Sequence, residues 1–228
     1  MHTIVQLLNP YISNKMKKTC EININTTINI FILLTLLISS LAIASTIEAE
    51  NKVKLVFGQV ETSFISLKSK NEFTKGNIRN ELTKYLIPEV NTTFFSNKVL
   101  NKNLQKVPEE LKTEFISELT IQLINTYSNL LSKYNDETIF IGKGTLSKSG
   151  KIAMVNVEII GKNKTNKAVI KLLKSKEDIW QFFDIVIEGI SLIDTKQAEI
   201  NSSFNKLGAE GALQRLKEVN NRSIEAHI

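Results

Sequence analysis

Thiols and imidazoles are almost missing from this sequence. The one cysteine, Cys20, lies ahead of an apolar run near the N-terminus, and the two histidines are His2 and His227. Between those ends nothing can serve as a cysteine nucleophile, a Ser-His-Asp triad or a histidine-based metal site. A disulfide framework is excluded as well, so the fold must be held by its core. Glycine-rich phosphate loops are also lacking; Gly142-Lys143-Gly144 is too short to form one. No cofactor and no metal are expected.

What stands at the N-terminus is a leader. Lys15, Lys17 and Lys18 precede the apolar run Ile28 to Ile38 (INIFILLTLLI), and Ala42-Ile43-Ala44 has the form of a cleavage site. The run is short for a membrane-spanning helix, so a cleavable signal peptide over residues 1–44 fits better than an uncleaved anchor. Met16 is an alternative start and Ala49 an alternative point of cleavage. The remainder, 45–228, reads as a single domain. An exported chain without cysteine suits a bacterial periplasm. Cleavage removes three lysines and one glutamate from a chain of net charge +6, leaving about +4. The cations alternate with acids instead of forming a basic stripe, so no nucleic-acid partner is expected.

Periodicity divides the domain into helices, then strands, then a helix. Apolar residues at three- and four-residue spacing predict helices over Lys52 to Lys68 and Asn77 to Ile87. Phe94, Phe95, Val99 and Leu100 form an apolar patch in a less regular stretch. A long helix starts at Pro108-Glu109-Glu110, where proline suits the first turn and glutamates suit the positive helix end. Its face carries Leu111, Phe115, Leu119, Leu123, Tyr127, Leu130 and Tyr134, and Asn135-Asp136 closes it.

From Thr138 the period becomes two. Strands over Lys151 to Ile160, Lys167 to Lys174 and Trp180 to Ile187 are joined by short polar turns, which implies an antiparallel meander. Ser191 caps a closing helix that Gly208 stops, and a short helix follows over Gly211 to Val219. The class is therefore α+β. Strict alternation along the last strand puts Trp180, Phe182 and Val186 on one side and Phe183, Ile185 and Ile187 on the other. A strand apolar on both faces needs cover on both, from protein or across a cavity.

That strand also carries Asp184 and Glu188. Together they read as a general acid–base pair or as structural acceptors, and without a histidine or tyrosine partner evident in sequence the structural reading is preferred. Trp180 reads as core or as pocket wall.

Four segments in order resemble one family. "WQFFDIVIEGISL" (Trp180 to Leu192) is similar to the signature of the MlaC, or toluene-tolerance, family of periplasmic phospholipid-binding proteins, with Trp180, Asp184, Glu188, Gly189, Ser191 and Leu192 matching. "FISELTIQLINTYSNLLSKY" (Phe115 to Tyr134), Val99-Leu100 and "LGAEGALQRL" (Leu207 to Leu216) resemble its other segments. The resemblance implies an antiparallel curved sheet packed with N-terminal and C-terminal helices around an apolar lipid cavity, a cone of the NTF2-like type. It implies a non-enzymatic carrier, with phospholipid as cargo. Its partners would be an outer-membrane lipoprotein complex and an inner-membrane ABC transporter complex, and its role the maintenance of outer-membrane lipid asymmetry. A small cavity enzyme or a general binder of hydrophobic ligands is the alternative. On this fold the expected lipid-binding residues are Leu123, Tyr127, Leu130, Val155, Val157, Ile170, Leu172, Phe183, Ile185 and Ile187.

Overall fold

The structure, a computed structural model, describes residues 44–134 and 137–225. The leader up to residue 43, Met16, Asn135-Asp136 and His227 lie outside the described residues. From Thr46 onward the chain forms one compact unit.

Helix α1 covers residues 44–69, starting earlier than the periodicity predicts. Ala49, Val53 and Val56 on it are fully buried. The alternative cleavage point at Ala49 therefore falls within packed helix. Helix α2 (Lys75–Tyr85) begins at Thr74, whose side chain accepts from Asn77 N at 3.3 Å, and ends just ahead of the Pro88 turn. The patch Phe94 to Leu100 is not irregular but helical: α3 (Thr92–Leu100) is capped by Asn91 Oδ1, which accepts from Phe94 N at 2.9 Å. Such a cap satisfies one of the unpaired first-turn donors. Helix α4 (Glu109–Leu131) opens after Pro108 with Glu109 and Glu110 in its first turn, as expected. Helix α5 (Leu192–Glu225) is broken at Gly208, whose φ of 71° and ψ of −169° only glycine adopts readily. The closing helix runs beyond the predicted Val219.

Five strands form an antiparallel meander in the order β1-β2-β3-β4-β5: β1 (Thr138–Leu146), β2 (Ile152–Ile160), β3 (Thr165–Lys174), β4 (Trp180–Ile187) and the two-residue β5 (Ile190–Ser191). The α+β class and the meander match the expectation; β5 carries no signal that alternation could detect at that length.

The register of β4 overturns the predicted faces. Leu172 pairs with Phe182, but Lys171 pairs with Asp184, so Phe183 is an extra residue, a β-bulge. Side-chain parity switches there. Phe182 lies across from Leu172, Ile185 from Ile170 and Ile187 from Ala168. These residues and Trp180 all join one apolar cluster. Val186 instead lies across from Val169. Phe183 joins a different cluster, where its ring meets Phe94 edge-on at 5.0 Å between centroids. The strand serves two cores by one kink, not by two apolar faces along its length.

Three clusters result. Helices α3, α4 and α5 pack around Phe95, Phe115, Leu119 and Phe204. The sheet packs on the first half of α1 through Val53, Val56, Val155, Val157, Leu172 and Trp180. The second half of α1 packs on α2 through Phe64, Leu67, Ile78 and Leu82.

Candidate functional site

The three clusters do not close completely on one another. Where they meet, an apolar cavity of about 150 Å³ remains. Phe57, Val60 and Phe64 of α1, and Leu82 and Leu86 at α2, line one side. Leu123, Tyr127, Leu130 and Leu131 of α4 line a second, and Ile139, Ile159, Ile170, Ile185 and Ile187 of the sheet a third. Phe57 stacks on Phe182 with centroids 6.4 Å apart and planes within 10°. The exposed Leu130 and the half-buried Ile139, Ile159 and Ile187 place the open side where α4 ends, at the Thr138–Ile160 end of the sheet.

Polar groups in this lining are few. Asp184 is one, and its side chain is 2% exposed. Its Oδ2 accepts from Lys171 Nζ and from Ser191 Oγ, each at 2.9 Å, and its Oδ1 accepts from Ile193 N at 3.2 Å. Ser191 Oγ in turn accepts from Asp194 N at 3.2 Å. The carboxylate thus ties β3, β4 and the first turn of α5 into one node. Glu188 is not its partner. It lies in the β4–β5 turn at φ 50°, and its Oε1 accepts from Lys167 N at 2.7 Å. The two carboxylates divide into two backbone-fixing roles, and neither is arranged as half of an acid–base pair.

Tyr127 is another polar group of the lining, beside Glu61 and Tyr134. Burial pushes its hydroxyl well above the ordinary tyrosine range, and the Asp184 carboxylate adds to the rise. It presents a neutral phenol within an apolar wall. Among the described residues no group of His, Cys, Asp and Glu could hold a metal ion.

Of the residues expected at a lipid site, Leu123, Tyr127, Leu130, Ile170, Phe183, Ile185 and Ile187 line this cavity. Val155, Val157 and Leu172 do not. They are fully buried beneath Ala49, Val53 and Val56, because α1 covers their part of the sheet. Trp180 likewise lies in that core, with Lys174 Nζ 5.5 Å from its ring centroid. The α1 and α2 lining residues were missed, although the apolar stripe Phe57, Val60, Phe64 is visible in the sequence.

The fold and the cavity define a small α+β protein whose helices and meander converge on an apolar pocket. Residues 59–218 match the family described as MlaC protein, and the chain belongs to that family. Among solved structures it is similar to a phospholipid-binding protein from Ralstonia solanacearum, determined in complex with a phospholipid. The TM-score is 0.69 at 16% sequence identity, covering 78% of this chain and 99% of that one.

Proposed function

We infer that this protein is a periplasmic phospholipid carrier and not an enzyme. The observation that carries this reading is the apolar cavity at the junction of three clusters, in a chain of the MlaC family. The Ralstonia protein of the same fold holds a phospholipid, which favours the same cargo here. Leu123, Tyr127, Leu130, Ile170, Phe183, Ile185 and Ile187, joined by Phe57, Val60 and Phe64, are the proposed acyl-chain contacts.

The physical logic is that of shielding. Each buried CH₂ is worth about 0.8 kcal/mol, so an acyl chain of about fifteen carbons is worth about 12 kcal/mol out of water. A cavity of about 150 Å³ is below the roughly 300–1,000 Å³ of drug-sized ligand sites. Loading therefore moves the walls apart, and the walls are side chains of separately packed helices and sheet. A bilayer offers the lipid similar stabilisation, so the carrier delivers cargo on docking and not by spontaneous loss. The proposed docking partners are an outer-membrane lipoprotein complex and an inner-membrane ABC transporter complex, with outer-membrane lipid asymmetry as the outcome. Residues 1–44 are the proposed export signal.

The test is to purify the exported protein without added lipid, extract it with solvent and weigh the extract by mass spectrometry. Diacyl phospholipid at near-stoichiometric amount is expected. Folded protein free of lipid, and unable to take it from vesicles, overturns the reading.

A further inference from the structure

The cavity lining contains one carboxylate that its surroundings leave unanswered. Glu61 stands on α1 among Phe57, Val60 and Phe64 and is half-buried there. It makes no hydrogen bond and no ion pair among the described residues. A helix brings positions three and four residues away beside it; these are Phe57, Gly58, Phe64 and Ile65, and none carries a charge. The lining residues Leu130, Tyr134 and Ile139 around the opening carry none either.

The comparable acids are all engaged. On α1, Glu48 lies 3.8 Å from Lys174 Nζ, and Glu50 Oε1 accepts from Gly144 N at 2.7 Å. In the lining, Asp184 accepts from Lys171, Ser191 and Ile193. A cation lies further along the face of α1 that bears Glu61. Lys68 follows it by seven residues, about 10 Å along the helix. The Lys68 Nζ is 4.6 Å from the ring centroid of Tyr134, itself part of the lining, and 5.0 Å from that of Phe73. One acid and one base of α1 thus flank the opening.

Cargo changes the balance at Glu61. With the cavity empty, water reaches the half-buried carboxylate. Acyl chains laid along Phe57, Val60 and Phe64 displace part of that water, and a charge that loses water is costly unless a counter-charge arrives with the ligand. Every phospholipid brings a phosphate, for which Lys68 supplies a cation. Only some bring an ammonium. A lipid of net negative charge sets a like charge near Glu61 instead, and repelling the wrong ligand selects as well as attracting the right one.

We propose that Glu61 sets the headgroup preference of the carrier, taking the primary ammonium of an ethanolamine phospholipid and disfavouring glycerol-type lipids of net negative charge. The proposal rests on the phospholipid-carrier reading above. It runs against the net positive charge of the chain, which alone would favour anionic lipid.

The test uses exported protein purified without added lipid from cells whose membranes contain both phosphatidylethanolamine and phosphatidylglycerol. Mass spectrometry gives the ratio of the two in the protein extract and in the membranes of the same cells. Because Glu61 keeps contact with solvent, the ratio in the protein should exceed that in the membrane by about threefold. Glu61→Gln should return the ratio to the membrane value with total lipid unchanged. Glu110→Gln, the same loss of charge at the far end of α4, should leave the parent's ratio intact. Membrane proportions in the parent, enrichment in phosphatidylglycerol, or an enrichment that Glu61→Gln does not reduce overturns the proposal. An equal reduction by Glu110→Gln also overturns it, in favour of net charge. All of these outcomes leave the carrier reading standing; folded protein without phospholipid of either kind overturns both.

Discussion

Replacing Asp184 by alanine should destabilise the protein by about 3–4 kcal/mol without abolishing its affinity for lipid. Breaking a fully buried ion pair by removing one partner costs about 3–5 kcal/mol. Here the Lys171 side chain is 30% exposed, so solvent screens it and the lower part of that range applies. Alanine also strands Ile193 N, a donor whose loss costs about 1–3 kcal/mol; Ser191 Oγ can rotate to another acceptor. These contributions share one carboxylate and do not add in full. Asparagine retains one acceptor, for Ile193 N, but loses the charge and turns the Oδ2 position into an NH₂ donor facing the Lys171 ammonium, so about 1–3 kcal/mol is expected. Urea unfolding of delipidated protein at neutral pH, followed by circular dichroism, should show the alanine midpoint lowered by roughly 1–3 M at unchanged slope. An alanine variant within about 1 kcal/mol of the parent would refute the node. So would loss of some turnover at unchanged stability, since that would make Asp184 a chemical group.

Three further outcomes follow from the packing. Ile185→Trp, on the cavity wall, should block lipid loading at a stability cost below about 1.5 kcal/mol, whereas Val157→Trp, under α1, should cost about 3 kcal/mol or more; co-purified lipid and urea midpoints separate the two. Because Tyr127 releases its proton more readily unfolded, its contribution to stability is present below about pH 10 and is lost as pH rises further. The decline is about 1.4 kcal/mol per pH unit, and Tyr127→Phe should flatten that part of the stability–pH curve. Gly208→Ala should cost about 1–3 kcal/mol through strain at φ 71°, with open space around the added Cβ, and Gly208→Asn should not recover it at ψ −169°; thermal melts measure both.

Much of the fold is legible because period and punctuation agree. The long α4 announces itself by Pro108-Glu109-Glu110, and the meander by alternation between polar turns. Helix α3 is less legible because its start depends on Asn91, whose capping role is indistinguishable in sequence from a loop asparagine. The site is legible in part. Leu123, Tyr127 and Leu130 share the face of α4 that its heptad-like spacing marks. Val155 and Val157 look like equally good wall residues, since sequence gives the apolar face of a strand but not what lies over it. Only the tertiary placement of α1 separates the covered half of the sheet from the uncovered half. The faces of β4 could not be read at all by alternation, because a bulge is a matter of pairing register, and Phe183 resembles any other apolar strand residue.

The single extra residue at Phe183 makes β4 a segment constrained by count more than by composition. Upstream of it even-numbered residues meet α1's cluster, and downstream odd-numbered ones do. Conservative swaps among these apolar residues leave that parity untouched. Deleting Phe183 would flatten the kink, remove the ring that meets Phe94 and pull the Asp184 carboxylate one position away from Lys171, Ser191 and Ile193. Related chains that have drifted far in sequence should therefore differ freely in which apolar residues fill this stretch, while keeping its length from the tryptophan to the aspartate fixed.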